Sequence, residues 1–290
     1  MNALLSARSL SKSFAKAPVI DALDAEVRPG DIVGLLGANG AGKTTLLEVL
    51  TGLSPPSAGT ARLFGFDAMN APVEAKTRVG FVPQTDELLA DLRASEYLKL
   101  IASFYPGWDH ELMRRLVADW DVDTRKTIST MSVGQRQKLA IVSALAARPE
   151  LLILDEPVAS LDPLARRKFL EQIVEMTADA QRAVIFSSHI VSDVERLANV
   201  VWILKDGKLI WQGDLDTLKE SVVRVHVPDS AAAGARAAFR RVATTRSAKG
   251  HTTLVAVRGA DEDWSDLDTR LPDARIEFPG LEEIFLELHS

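Results

Sequence analysis

Apolar and polar positions along the 290-residue chain change rhythm twice, near residues 86 and 148. Residues 3 to 36 alternate short strand-like runs with turns, notably Arg28-Pro29-Gly30-Asp31. Ile32 to Leu36 is a continuous apolar run that predicts a buried strand, and Thr45 to Leu50 predicts a helix closed by Gly52. A strand follows at Val79 to Val82. From about Asp86 to Arg148 the spacing turns helical, through Leu98, Ile101, Ala102 and Tyr105. It breaks at Pro106-Gly107 and resumes through Leu112, Leu116 and Trp120.

Leu151 to Leu154 and Ala183 to Phe186 return as apolar strands, separated by a helix from Pro163 to about Ala178. Strands alternating with helices in this way predict a mostly parallel sheet flanked by helices, an α/β fold with the helical stretch inserted into it. Val201 to Leu204 and Lys208 to Trp211, joined through Asp206-Gly207, predict a closing hairpin. The tail from about 221 to 290 predicts a small α+β appendage. Its strands are Val222 to Val227, Thr253 to Val257 and Arg275 to Phe278. Its helices run from Ala231 to Arg241 and through Leu281, Ile284, Phe285 and Leu288.

Composition narrows the class. The apolar fraction of 47% is ample for a core, and the length suits one large domain plus a smaller one. A formal charge of −6 gives no global attraction to nucleic acid, so positive potential has to be concentrated locally. Absence of cysteine removes disulfides and thiolate metal sites and fits a reducing compartment. No run reaches the ~18 to 20 apolar residues of a membrane span, and the N-terminus lacks a signal-peptide core, so a cytosolic chain is expected.

The densest chemistry lies between the Ile32 strand and the Thr45 helix, where Gly37 to Thr44 reads Gly-Ala-Asn-Gly-Ala-Gly-Lys-Thr. Strand, glycine-rich loop and helix form the context of a phosphate cradle. Gly37, Gly40 and Gly42 carry no Cβ to obstruct a phosphate, so the amides from Asn39 through Ala41 to Thr45 can turn toward it beside a helix N-terminus. Lys43 adds a mobile cation for the β- and γ-phosphates, with the Thr44 hydroxyl on Mg²⁺.

Leu151 to Leu154 runs into Asp155-Glu156-Pro157. Successive residues of an extended chain face opposite sides, so the two carboxylates can hold different jobs: Asp155 orienting a Mg²⁺ shell, Glu156 accepting a proton from water. Ser132-Val133-Gly134-Gln135 opens a helix. Capping explains the serine, and the same serine with free amides also makes an anion site. Gln84 and His189 each follow a strand, at the carboxyl edge where α/β sheets bind ligands.

The ordered set closely resembles the ATP-binding subunit of ATP-binding cassette (ABC) transporters over about residues 1 to 220. Gly37 to Thr44 matches Walker A, Gln84 the Q-loop, Ser132 to Gln135 the signature, Leu151 to Glu156 Walker B, Ser160-Leu161-Asp162 the D-loop and His189 the switch histidine. The resemblance implies a P-loop ATPase core with an N-terminal antiparallel β subdomain and a helical subdomain at about 86 to 148. It assigns Phe14 to stacking on adenine, a core phenylalanine being the competing reading.

The usual signature Leu-Ser-Gly-Gly-Gln stands here as Met131-Ser132-Val133-Gly134-Gln135. A β-branched residue disfavours positive φ, so Val133 is expected in ordinary helical geometry, with Ser132 and the Gly134 amide left to meet phosphate. The resemblance further implies ATP and Mg²⁺ as ligands and hydrolysis at the γ-phosphate, which His189 would contact. A second ATP-binding subunit, a copy or a paralogue, would close head to tail with Asp162 communicating across the junction.

An integral membrane subunit is the other implied partner, docked near Leu88, Leu89, Leu92 and Tyr97, with this chain peripheral on the cytoplasmic face and no nucleic acid expected. The ending Gly280-Leu281-Glu282-Glu283-Ile284-Phe285 looks like ABC-2-type export ATPases. The alternative is a soluble ABC ATPase acting on DNA or ribosomes. A single Walker A, no long coiled coil and no basic patch with interleaved aromatics weigh against it.

Overall fold

The computed structural model describes residues 3–15, 17–85, 88–259, 262–264 and 266–289. Internal contacts divide the chain into two compact units, Met1–Gln212 and Gly213–Ser290.

The first unit begins with long strands β1 (Leu5–Phe14) and β2 (Ala17–Val27), followed by β3 (Ile32–Gly37), helix α1 (Lys43–Thr51), β4 (Ala58–Leu63), β5 (Phe66–Asp67), a single turn α2 (Val73–Lys76) and β6 (Val79–Val82). Three helices come next, α3 (Ala94–Ala102), α4 (His110–Asp119) and α5 (Val133–Ala146). β7 (Leu151–Leu154), α6 (Pro163–Thr177), β8 (Ala183–Ser188), α7 (Val191–Leu197), β9 (Val200–Lys205) and β10 (Lys208–Asp214) complete the run.

Two sheets result. One has the order β2-β1-β4-β5 with antiparallel neighbours. The other has the order β10-β9-β3-β8-β7-β6, in which β9, β3, β8, β7 and β6 run parallel. Continuous apolar runs allow this: Leu151 to Leu154 and Ala183 to Phe186 are buried at every position, as strands covered on both faces must be. Because the strands are parallel, the ends of β3, β6, β7 and β8 share one edge of the sheet. α1 packs between the sheets, and its Leu46, Leu47, Val49 and Leu50 join Leu5, Leu10 and Leu35 in one core. The β9–β10 turn has Asp206 at φ 49° and Gly207 at φ 75°, the paired positive values that a tight hairpin requires.

The helical stretch holds α3, α4 and α5, with α5 in contact with both others. The expected start at Asp86 lies outside the described residues. α3 begins at Ala94, because Arg93 pairs with Thr127 and Leu92 accepts from the Ile128 amide, which holds this segment extended. α3 also stops at Ala102, short of Tyr105, whose hydroxyl reaches the Val79 carbonyl at 3.4 Å. Asp109 caps α4, accepting from the amides of Glu111 at 3.0 Å and Leu112 at 2.8 Å.

The second unit contains α8 (Leu215–Glu220), β11 (Val222–Pro228), α9 (Ala232–Ala237), β12 (Val242–Ala248), β13 (His251–Val257), α10 (Leu267–Arg270), β14 (Arg275–Glu277) and α11 (Leu281–His289). Its sheet is antiparallel in the order β12-β13-β11-β14. The unit starts ahead of the division expected at 220, because α8 packs on β11. α9 ends at Ala237, before Arg241, as Phe239 turns inward to meet Trp264 edge-on, with ring centroids 5.5 Å apart. β12 carries no apolar alternation and is a strand the pattern does not predict. Leu281 and Ile284 of α11 are fully buried, and buried Glu287 accepts from Thr244 and Arg246 of β12.

Candidate functional site

β3 delivers the chain to Gly37 and α1 takes it up at Lys43. Gly42 caps that helix in the left-handed region at φ 101°. A Cβ there would lie 3.1 Å from the Val19 carbonyl and 3.2 Å from Ile20 Cδ1, so backbone angle and space both demand glycine. No side chain caps α1, which leaves its first amides and the positive end of its dipole turned to the sheet edge. Lys43 is buried and folds back over the loop. Its Nζ donates to the Gly37 carbonyl at 2.9 Å and lies 3.5 Å from Glu156 Oε1.

β7 ends beside this loop and places both carboxylates. Asp155 is completely buried, and each of its oxygens accepts from a hydroxyl at 2.5 Å, Oδ2 from Thr44 and Oδ1 from Ser187. Glu156 takes φ 48°, a left-handed value uncommon outside glycine. Its amide donates to Ser187 Oγ at 2.7 Å, and its Oε2 lies 2.7 Å from His189 Nδ1. The neighbouring carboxylates therefore have separate partners: hydroxyls for Asp155, a lysine and a histidine for Glu156. An ionised Glu156 only accepts, so Nδ1 donates and the Nε2 edge of the half-exposed His189 ring is left for another partner.

A cavity of about 320 Å³ is lined by Val19, Asn39, Gly40, Gly42, Lys43, Thr44, Thr45, Gln84, Asp155 and Glu156, with Ser187 and His189 behind the carboxylates and outside the lining. Gln84 is exposed at its margin. Ala41 is partly buried against the core and its amide turns back to the Ala38 carbonyl at 3.1 Å. Phe14 is not part of the lining. It is 50% exposed at the end of β1, with Lys12 Nζ 4.8 Å from the ring centroid, and so is not a core residue. Among the described residues, no cluster of three or more His, Asp or Glu side chains could hold a metal. The oxygen donors here, Thr44, Gln84 and Asp155, fit a hard ion such as Mg²⁺ that takes most of its shell from phosphates and water.

Ser132 to Gln135 stand outside that lining. Ser132 caps α5 in a reciprocal box: its hydroxyl accepts from the Gln135 amide at 3.3 Å, and Gln135 Oε1 accepts from the Ser132 amide at 3.0 Å. Val133 is the first residue of α5, has no positive φ and is 57% exposed, so the departure from glycine costs no backbone strain. Gly134 does need to be glycine, for a different reason: a Cβ would sit 2.8 Å from the Ser160 carbonyl. Further along α5, Gln137 donates to the Pro157 carbonyl at 3.3 Å and Lys138 pairs with Asp162 at 3.3 Å. Asp162 also caps α6 through the Ala165 amide, and that bond, then Lys138, holds its carboxyl below the usual range.

Sequence reasoning missed Ser187, Gln137 and Lys138. Only Ser187 left a trace, as a hydroxyl ending the apolar run Ala183 to Phe186. The apolar surface expected near Leu88, Leu89, Leu92 and Tyr97 is also redistributed. Tyr97 is buried, while Leu89, Leu100 and Phe104 are exposed.

A family model described as ABC transporter matches residues 20–159. The chain is 34% identical over 228 residues to a Nod factor export ATP-binding protein I of Cupriavidus metallidurans, covering 77% of this chain and 75% of the relative. It is 33% identical over 224 residues to the bacitracin transport ATP-binding protein BcrA of Bacillus licheniformis, covering 76% and 72%. A solved structure titled as the ATP binding subunit of an ABC transporter superposes with a TM-score of 0.68 at 31% identity, over 75% of this chain and 92% of that one. With the cavity between its glycine-rich loop and paired carboxylates, this chain belongs to the ABC transporter family as an ATP-binding, ATP-hydrolysing protein.

Proposed function

We propose that this chain is the energising subunit of an exporter, working as a head-to-tail pair of ATP-binding subunits beneath a separate membrane subunit. The observation that carries the pairing is the position of Ser132 to Gln135. They present a helix N-terminus with an exposed Val133, yet line no part of the cavity that the chain's own loop and carboxylates form. A partner's α5 supplies the missing wall, its serine and first amides facing the γ-phosphate. Export is supported by the names of the two relatives, and their different cargoes leave the substrate to the membrane subunit.

In this reading the loop amides and Lys43 hold the phosphates, and Phe14 stacks on the base outside the cavity. Thr44, Gln84 and Asp155 hold Mg²⁺, which when bound offsets charge on the phosphate oxygens. Glu156 orients water and accepts its proton, and His189 fixes the Glu156 carboxylate from the far side. Asp162 reaches the partner. Catalysis is positioning with charge stabilisation.

The membrane subunit docks on a groove of about 370 Å³ bordered by Val73, Phe81, Tyr97, Ile101 and Phe104, where Val73 is 69% and Phe104 60% exposed. Among the described residues no helix is long and apolar enough to cross a membrane. In this reading the chain is held at the cytoplasmic face by that partner.

Glu156→Gln with Mg²⁺-ATP tests the pairing. A dimer by light scattering is expected, and it should vanish when Ser132→Arg is added although ATP still binds. A Glu156→Gln protein that stays monomeric with ATP bound overturns the pairing. Recovery from membranes with an integral subunit is expected for the complex. Recovery with ribosomes or DNA in its place overturns the transport reading.

A further inference from the structure

Ser187 is fully buried at the end of β8, a strand set between β3 and β7. In that register it lies beside Leu35 of the loop-bearing strand and one step past the Leu154–Phe186 pair, level with the start of the carboxylates. A hydroxyl has one proton to donate, and its oxygen can accept. Here the roles are forced. The Glu156 amide can only donate, so Ser187 Oγ accepts it at 2.7 Å, and the hydroxyl proton goes to Asp155 Oδ1 at 2.5 Å.

One side chain therefore holds both carboxylate residues. It occupies one oxygen of Asp155 and leaves the other on Thr44. It also anchors the peptide of Glu156 in its left-handed conformation, φ 48°, where no helix or sheet ladder would hold it. Ser188 is next in sequence and does something else: its hydroxyl accepts from the Ile190 amide at 3.0 Å and shapes the following turn.

We infer that Ser187 is a positioning residue for hydrolysis, a buried hydroxyl clamp that sets the Glu156 carboxylate and the Asp155 oxygens relative to each other. The inference rests on the roles proposed above for Glu156 and Asp155. Packing alone does not require it, since a strand position buried among Val184, Ile185 and Phe186 would accept an apolar side chain, and polar burial persists where it is bonded.

Ser187→Ala and Ser187→Cys test it together, because cysteine restores volume but donates weakly. With Mg²⁺-ATP, both variants should lose about 10- to 100-fold in kcat, the scale of a misplaced catalytic group, with KM for ATP within about threefold. Binding of trinitrophenyl-ATP supplies a readout without turnover: affinity in EDTA should match the parent, while the gain on adding Mg²⁺ should shrink at least threefold. Full kcat in Ser187→Cys beside a slow Ser187→Ala would make the residue mere packing and overturn the clamp. Parental kcat in Ser187→Ala beside an inactive Glu156→Gln overturns this inference alone. A fully active Glu156→Gln removes the base assignment and the clamp with it.

Discussion

Gly134→Ala puts the contact between α5 and the loop after β7 to a quantitative test. Gly134 lies in the first turn of α5 and has no positive φ, so helix propensity alone predicts that alanine stabilises, by up to ~1 kcal/mol. The structure predicts the opposite sign. The added Cβ would meet the Ser160 carbonyl at 2.8 Å, a backbone atom that cannot rotate aside. Overpacking of that kind costs about 1 to 3 kcal/mol, leaving a net loss of up to about 2 kcal/mol after the helix gain. A unit of this size should melt lower by up to about 8 °C. ATP turnover should fall too, because relief of the clash shifts either the start of α5 or the 157–162 loop, and Gln137 and Lys138 tie those two together. Gly234→Ala is the control: on exposed α9 its Cβ would meet nothing within 4 Å, and a gain of about 0.5 to 1 kcal/mol is expected. Differential scanning calorimetry and phosphate release measure both. A Gly134→Ala protein that melts at or above the parent and hydrolyses ATP at its rate would refute the close-approach argument.

Lys43→Ala should weaken ATP binding about 10- to 100-fold, the worth of charge-assisted hydrogen bonds of ~1.5 to 3 kcal/mol, as read by calorimetric titration. Phe14→Ala should leave stability within about 0.5 kcal/mol, because the ring is 50% exposed, yet lower ATP affinity by roughly 1 to 3 kcal/mol. Its affinity for inorganic triphosphate should stay unchanged, which separates stacking from phosphate binding. Asp109→Ala should cost about 1 kcal/mol at pH 7 in urea unfolding. The Leu112 amide, then Arg148, holds this carboxyl below its ordinary value. Its contribution is therefore complete above the unfolded value of about 3.9 and fades as pH falls through the lower folded one, so parent and variant should converge below about pH 4.

What the amino-acid order disclosed was what local physics writes locally. Leu151 to Leu154 and Ala183 to Phe186 were readable as parallel strands because both faces are covered, and Gly37 to Thr44 because a phosphate loop needs glycine and lysine at fixed offsets. β4 and β12 were not, since Ala58–Leu63 and Val242–Ala248 take their pairing from β1 and β13 and carry little apolar pattern of their own. α8 went unread for a similar reason, its place being set by β11. Ser187 shows the limit most plainly. Its spacing from Glu156 is 31 residues, and only the β7–β8 register makes them neighbours.

Lys43 and Glu156 suggest how ATP arrival prepares its own hydrolysis on the proposed reading. The buried ammonium has three protons, and the Gly37 carbonyl at 2.9 Å, the Ala38 carbonyl at 3.4 Å and Glu156 Oε1 at 3.5 Å are its three partners. A phosphate entering the loop is a stronger partner than any of the three and draws the ammonium toward itself. Glu156 Oε1 is then released to water, while Oε2 stays with His189 and the peptide stays with Ser187. On that reading the base changes partners at one oxygen while its peptide stays bonded to Ser187. That economy matters if the site's remaining wall comes from another chain, as proposed above. If the carboxylate were free before ATP arrived, water could occupy it in the open subunit. On the proposed roles, a carboxylate held by Lys43 until the phosphate takes the lysine away becomes available only when there is something to hydrolyse.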